Sequence, residues 1–183
     1  MKYNSIQDIY EWIEAIVFSV AAIVIVFTFA FRIVGVSGVS MENTLNAGVQ
    51  YENQTVDRVV ISDINYKPKR GDIIVLSTKA VPEPIIKRVI AVGGDTVNID
   101  FNKHTVSVNG KIIKEPYIKE PTTNPGDVTF PVKVPEGHVF VMGDNRNNSE
   151  DSRFRAVGMV DDRYILGRAC LRIFPLNEIK IIH

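Results

Sequence analysis

The stretch Ile85-Ile86-Lys87-Arg88-Val89-Ile90-Ala91-Val92, closed by Gly93-Gly94, reads as a β-strand. Its β-branched residues and the glycine pair that ends it favour an extended run over a helix. Successive side chains of a strand point to opposite faces, so Lys87 and Arg88 are turned apart. Lys87 shares its face with Ile85 and Val89, which sets an ammonium among apolar neighbours. Burial disfavours the charged form and lowers the pKa, as a lysine general base near neutral pH requires. Arg88 cannot take that role, because a guanidinium keeps its proton. Taken alone, such a lysine is more often a solvated side chain on an outer face.

Outward from this strand the texture stays β. Upstream, Val56–Ser62 and Asp72–Ser77 are short β-branched runs separated by the turn-rich segment Asn65–Gly71. Downstream come Thr96–Asp100 and His104–Val108, and Asn109-Gly110 then marks a tight hairpin into Lys111–Ile113. Residues 114–127, with Pro116, Pro121, Pro125 and Gly126, read as a loop. Val128–Val134 and His138–Met142 follow as strands, then a polar segment over 143–155, and Tyr164–Phe174 closes the pattern. No helical periodicity of useful length, internal repeat or low-complexity tract follows residue 45. The expected fold is mainly β, an antiparallel sandwich or partly open barrel.

One segment breaks this texture. Ala15–Phe31, AIVFSVAAIVIVFTFAF, carries no charge, and only Ser19 and Thr28 are polar. Ile13 before it, and Ile33-Val34 beyond Arg32, extend it toward bilayer length, with the arginine reaching the interface. The expected organisation is a polar segment over 1–14, an anchor over 15–34 and a catalytic domain over 36–183. Tyr10 and Trp12 suit an interfacial belt. A buried soluble helix would show a polar stripe. A cleaved secretory signal would have a basic start and a shorter apolar run, whereas Tyr3 and Tyr10 here stand among Asp8, Glu11 and Glu14. Lys2 and Arg32 nearly cancel in a positive-inside count, so charge does not set the topology.

Composition excludes other classes. Acidic and basic residues balance at 21 each in 183 residues, and there is no lysine–arginine run, so nothing favours nucleic acid. Cys170 is the single cysteine, which rules out an intrachain disulfide and a cysteine–histidine metal cluster.

Just past the apolar segment lies Val39-Ser40-Met41-Glu42-Asn43-Thr44-Leu45. Ser40 reads either as a helix N-cap ahead of Met41-Glu42-Asn43 or as a nucleophile. His104, His138 and His183 stand in no catalytic-looking context, so a serine–lysine pair with Lys87 is the better enzymatic option. The polar segment Met142–Arg153 is either an exposed loop or part of the same site. Asp144 with Arg146, or Asp151 with Arg153, would pin it by charge-assisted pairs. Ser149 and Ser152 offer hydroxyls to orient a neutral lysine.

Four segments in order resemble the boxes of bacterial type I signal peptidases. They are Ser40–Leu45, Lys69-Arg70-Gly71-Asp72-Ile73-Ile74-Val75, Ile86–Ile90 with Gly94-Asp95, and Gly143–Arg146 through Ser149, Asp151 and Arg153. The resemblance implies Ser40 as nucleophile, with its own backbone N–H in the oxyanion hole, and Lys87 as general base. It implies Ser149 hydrogen-bonded to the lysine amine, an Asp151–Arg153 ion pair supporting that shell, and substrate contacts at Gly38, Val39 and Met41. Met41 has a core position as its alternative. The implied fold is a β-rich catalytic core, and its compact size is similar to the enzymes of monoderm bacteria. The implied substrate is the signal peptide of a preprotein, cut after an Ala-x-Ala site without metal or organic cofactor. The implied setting is the lipid bilayer near the secretion translocon, single-pass, with the catalytic domain on the extracytoplasmic side. The departures are Asn43 and Gly93, where such families have proline, and Gly38, where some relatives have a hydroxyl. Asparagine tolerates turn conformations, so the fold is expected to survive the loss of a fixed φ, with activity altered. A self-cleaving serine–lysine repressor would need a DNA-binding module in place of the apolar segment. A non-catalytic, membrane-anchored relative that binds a partner is the alternative outside enzymes.

Overall fold

The computed structural model describes residues 5–47, 56–78 and 83–182; Lys2, Tyr3 and His183, named above, lie outside them. The chain divides after Arg32 into a helical segment and a β unit. Helix α1, Ser5–Ala30, has 26 residues. Its window Ile6–Thr28 has a mean hydropathy of 2.1 and none of it is buried. At about 1.5 Å per residue the helix exceeds the roughly 30 Å hydrocarbon thickness of a bilayer.

The helix differs from the expected segment 15–34 at both ends. It begins at Ser5, taking in the turns that carry Tyr10 and Trp12, and it stops at Ala30. Ile33 and Val34 do not extend it: they lie in strand β1, Arg32–Gly35. A β-branched pair followed by glycine is poor helix continuation and good strand.

The β unit continues with β2 (Arg58–Ser62), β3 (Ile73–Leu76), β4 (Ile85–Val92), β5 (Thr96–Asp100), β6 (Thr105–Val108), β7 (Lys111–Ile112), β8 (Val132–Lys133), β9 (His138–Met142), β10 (Val160–Asp161), β11 (Ile165–Phe174) and β12 (Lys180–Ile181). The larger sheet has the order β1-β2-β11-β3-β4-β9-β10, with β12 beside β11. Its pairings from β2 to β10 are antiparallel. The smaller sheet runs β7-β6-β5-β8, also antiparallel. The mainly antiparallel β architecture expected from the strand pattern is the one the chain adopts. The expected strand Val128–Val134 is cut to Val132–Lys133, because Pro131 has no N–H for a ladder.

Strand β4 lies between β3 and β9 and is buried on both faces. On one side Ile86 joins Val36, Met41, Leu45, Val59, Ile73 and Val75. On the other, Val89 packs with Ile74, Leu76, Val139 and Val141. A third cluster, containing Phe140, Met142, Val97 and Val106, fills the space under the smaller sheet. Phe130 meets Phe101 and Phe140 edge to face there, at 6.0 Å each. Each fully buried aliphatic or aromatic side chain contributes about 1.5–3 kcal/mol, so these clusters hold the loops that follow β1 and β9 against a rigid base.

Candidate active site

Lys87 sits in the middle of β4, paired across the ladder with Ile74, and so on the face of Ile85 and Val89 that alternation assigned to it. Its side chain is buried, at 3 % exposure. The ammonium Nζ donates to Ser40 Oγ at 2.7 Å and to the Ile86 carbonyl at 3.1 Å. Burial pulls its pKa down to about 8, against the opposing pull of Asp151, Glu150 and Asp144. Arg88, turned the other way, is also buried, which alternation alone did not reveal. It stacks on the Tyr117 ring at 4.0 Å and makes a bidentate pair with Asp144, 2.8 Å on each arm.

The residues after Ser40 form turns rather than a helix, so the N-cap reading does not apply. Glu42 N donates to Val39 O at 3.1 Å, and Thr44 N and Leu45 N both donate to Met41 O. Met41 and Leu45 are buried in the core and fasten this loop from beneath. Met41, expected at the substrate with a core position as the alternative, takes the core position and does not line the cleft described below. Asn43 has φ +89, a left-handed conformation. Its amide donates to Tyr117 O at 3.0 Å and Ile118 O at 3.4 Å, tying the nucleophile loop to the proline-rich segment.

Asn145 clamps the same loop from the other side, and no motif argument had singled it out. Its N–H donates to Ser40 O at 2.9 Å. Its side-chain amide donates to Val39 O and Glu42 Oε2, both at 3.1 Å. Thr44 Oγ1 donates to Asp144 Oδ2 at 2.5 Å, so two consecutive residues of the 143–155 loop hold the serine turn.

Asp151 and Arg153 are fully buried and paired, Arg153 Nε to Asp151 Oδ1 and Nη2 to Oδ2 at 2.8 Å each. Asp151 Oδ2 also accepts from Gly143 N at 3.0 Å and from the Ser149 hydroxyl at 2.8 Å. Ser149 thus donates to Asp151, and the hydrogen bond to the lysine amine that the resemblance implies is not formed. Ser152 Oγ accepts from Val141 N at 3.0 Å and is likewise occupied. Asp144 pairs with Arg88, not with Arg146, whose partner is Glu115 at 2.5 Å. A Cβ on Gly143 would run into both Ser149 Oγ and Ser40 O, so the two loops meet over a residue with no side chain. Buried ion pairs of this kind help only when every lone pair is used, and removing one partner costs about 3–5 kcal/mol.

Ser40 and Lys87 open into a cleft of about 250 Å³. Val34–Ser40 form one wall, Glu83–Lys87 the other, and Asn148 and Glu150 stand at its side. Gly38, at φ +75, and Val39 line it. Glu83, Asn148 and Glu150 were not legible as site residues, since acidic and amide side chains at loop positions carry no distinguishing pattern. A larger recess of about 540 Å³ around Tyr66, Lys69 and Arg168 shares no residue with this cleft and holds no nucleophile–base pair. The ring nitrogens of His104 and His138 face the carbonyls of Thr122 and Glu136. Neither histidine lines the cleft.

Comparison with known proteins gives this constellation its context. Residues 9–174 match the family described as signal peptidase, peptidase S26. The chain is 34 % identical to a signal peptidase I of Bacillus licheniformis, over 97 % of this chain and 95 % of the relative. It is 36 % identical to signal peptidase I T of Bacillus subtilis, over 93 % and 88 %. A crystal structure of a signal peptidase I from Enterococcus faecalis shares 32 % identity, covering 56 % of this chain and 97 % of that one, with a TM-score of 0.48. By the extent of these matches the chain belongs to the signal peptidase family, peptidase S26, and is a serine endopeptidase of that family.

Proposed function

We propose that the protein removes signal peptides from preproteins through an acyl-enzyme formed by Ser40 and activated by Lys87. The observation that carries this reading is the 2.7 Å contact between Ser40 Oγ and the amine of a buried lysine whose pKa is pulled down to about 8. Neutral Lys87 takes the Ser40 proton as Oγ attacks the scissile carbonyl. The developing oxyanion is met by the Ser40 N–H. Collapse of the tetrahedral species breaks the C–N bond, and Lys87 returns the proton to the leaving amine. Water, deprotonated by the same amine, then releases the acyl group.

The substrate lies extended between the Val34–Val39 and Glu83–Ile86 walls, where main-chain pairing supplies affinity. A cleft of about 250 Å³ admits small side chains, which fits cleavage after Ala-x-Ala. Helix α1 is the single-pass anchor, with the β unit on the extracytoplasmic side near the translocon, where signal peptides emerge. The intact Ser40–Lys87 contact weighs against a non-catalytic relative. The test is cleavage of an Ala-x-Ala preprotein in detergent micelles. Wild type is expected to cut after the second alanine, and Ser40→Ala and Lys87→Ala are each expected to lose at least about a thousandfold in kcat, as loss of a nucleophile or its base does. An inert wild type, or a fully active Lys87→Ala, overturns the reading.

A further inference from the structure

The cleft contains three ionisable side chains among the described residues, Lys87, Glu83 and Glu150. The nearby carboxylates Asp144 and Asp151 are each neutralised by a buried arginine, Arg88 and Arg153. Glu83 and Glu150 are exposed and take part in no hydrogen bond or ion pair among the described residues. Lys87 acts as a base only in its neutral form. The active state is therefore the one in which the cleft is most negative, with two uncompensated carboxylates along the path of an extended chain.

We infer that Glu150 and Glu83 make the enzyme select substrates with a lysine or arginine flanking the scissile bond. This rests on the proposed protease reading and names a preference within it. Glu150 follows Ser149 directly and lines the same cleft as Ser40 and Lys87, so it serves a substrate side chain next to the scissile peptide. Glu83 precedes Lys87 by four positions. It lies in a bend two positions before β4, so at about 3.3 Å per extended residue it stands at most roughly 13 Å further along the wall, opposite a residue within about four positions of the scissile bond. A cationic side chain at either place gains an exposed ion pair, an acidic one is repelled, and the discrimination weakens with salt.

The test uses the full chain in detergent micelles and peptides with an Ala-x-Ala site, in which lysine or glutamate is scanned through the flanking positions. Two quantities are read: anisotropy Kd on the Ser40→Ala protein, and kcat/KM on the wild type. The expected result is a Kd roughly two- to fivefold lower for lysine than for glutamate at a position beside the scissile bond and at one about four residues away, the range of an exposed ion pair. Glu150→Gln abolishes the first preference and Glu83→Gln the second, while Glu150→Lys inverts the first. Equal Kd for lysine and glutamate throughout the scan, or preferences that persist in the glutamine variants, overturns the inference. Charge-dependent binding without wild-type cleavage overturns the proposed function alone. Cleavage without charge preference overturns the inference alone.

Discussion

Lys87 concentrates the conflict between stability and chemistry in this protein. Its pKa is about 8 in the folded chain and 10.5 in the absence of the fold. Between those values the unfolded state binds more protons than the folded one, so stability rises with pH across that window. Below pH 8 both states are protonated and the full penalty of the buried charge is present, on the order of 3 kcal/mol from the size of the shift. Lys87→Met is therefore expected to stabilise the β unit at pH 7, seen as a higher Tm in detergent, with the gain shrinking toward pH 10. No gain at pH 7 would mean that the charge is better solvated than its burial indicates. The same shift sets the rate profile: kcat/KM is expected to fall below an apparent pKa near 8, and Glu150→Gln is expected to move that limb to lower pH, because its carboxylate helps hold the proton. A limb unmoved by Glu150→Gln would separate that side chain from the base.

Residue conformation also explains the departures from the family pattern. Proline cannot adopt φ +89, so Asn43→Pro, the residue that the resemblance leads one to expect there, is expected to distort the serine turn and cut kcat, whereas Asn43→Gly keeps the backbone. Cleavage assays on the two variants check this order, and a fully active Asn43→Pro would show that the turn relaxes. At Gly93 a Cβ would stand 2.9 Å from Glu136 Cα, so the absence of a side chain suits the turn it packs on. The face occupied by Lys87 was legible because strand alternation is a local rule. The burial of Arg88 was not, since its partner Asp144 lies in a separate segment and pairing of that kind leaves no local trace.

At the scale of elements, two loops carried by rigid strands build the site. The turn after β1 is pinned by Met41 and Leu45 in the core and by Asn145 and Asp144 from the loop after β9. That second loop is organised by the Asp151 carboxylate, which joins Gly143, Ser149 and Arg153. Asp151→Asn leaves Arg153 buried without a counter-charge and is expected to destabilise by about 3–5 kcal/mol. Gly143→Ala should behave differently, displacing Ser40 while the ion pair remains, so kcat falls more than Tm. Denaturation midpoints and single-turnover rates for both variants distinguish these outcomes; an active Gly143→Ala would show that the two loops part without cost. Strands with alternating or β-branched runs, such as β4, β5 and β9, were legible within a residue or so. Strands β1, β10 and β12 were not, because two to four residues paired at a sheet edge have no period to detect. The division of roles within 143–155 was also hidden, since several aspartates and arginines in one loop permit many pairings and only the fold selects among them.

For the whole molecule, an apolar helix of 26 residues precedes a β unit whose cleft sets the Ser40 hydroxyl against the Lys87 amine. Under the proposed function, that order would bring a membrane-inserted substrate and its protease to one surface. The most direct check is labelling of the full chain at pH 8 with a fluorophosphonate, which phosphonylates a reactive serine with loss of fluoride, read by mass spectrometry in wild type and Lys87→Met. A single adduct on Ser40 is expected, formed in wild type and lost in Lys87→Met while the variant stays folded. An adduct on another serine, or undiminished labelling of Ser40 without the lysine, would contradict it.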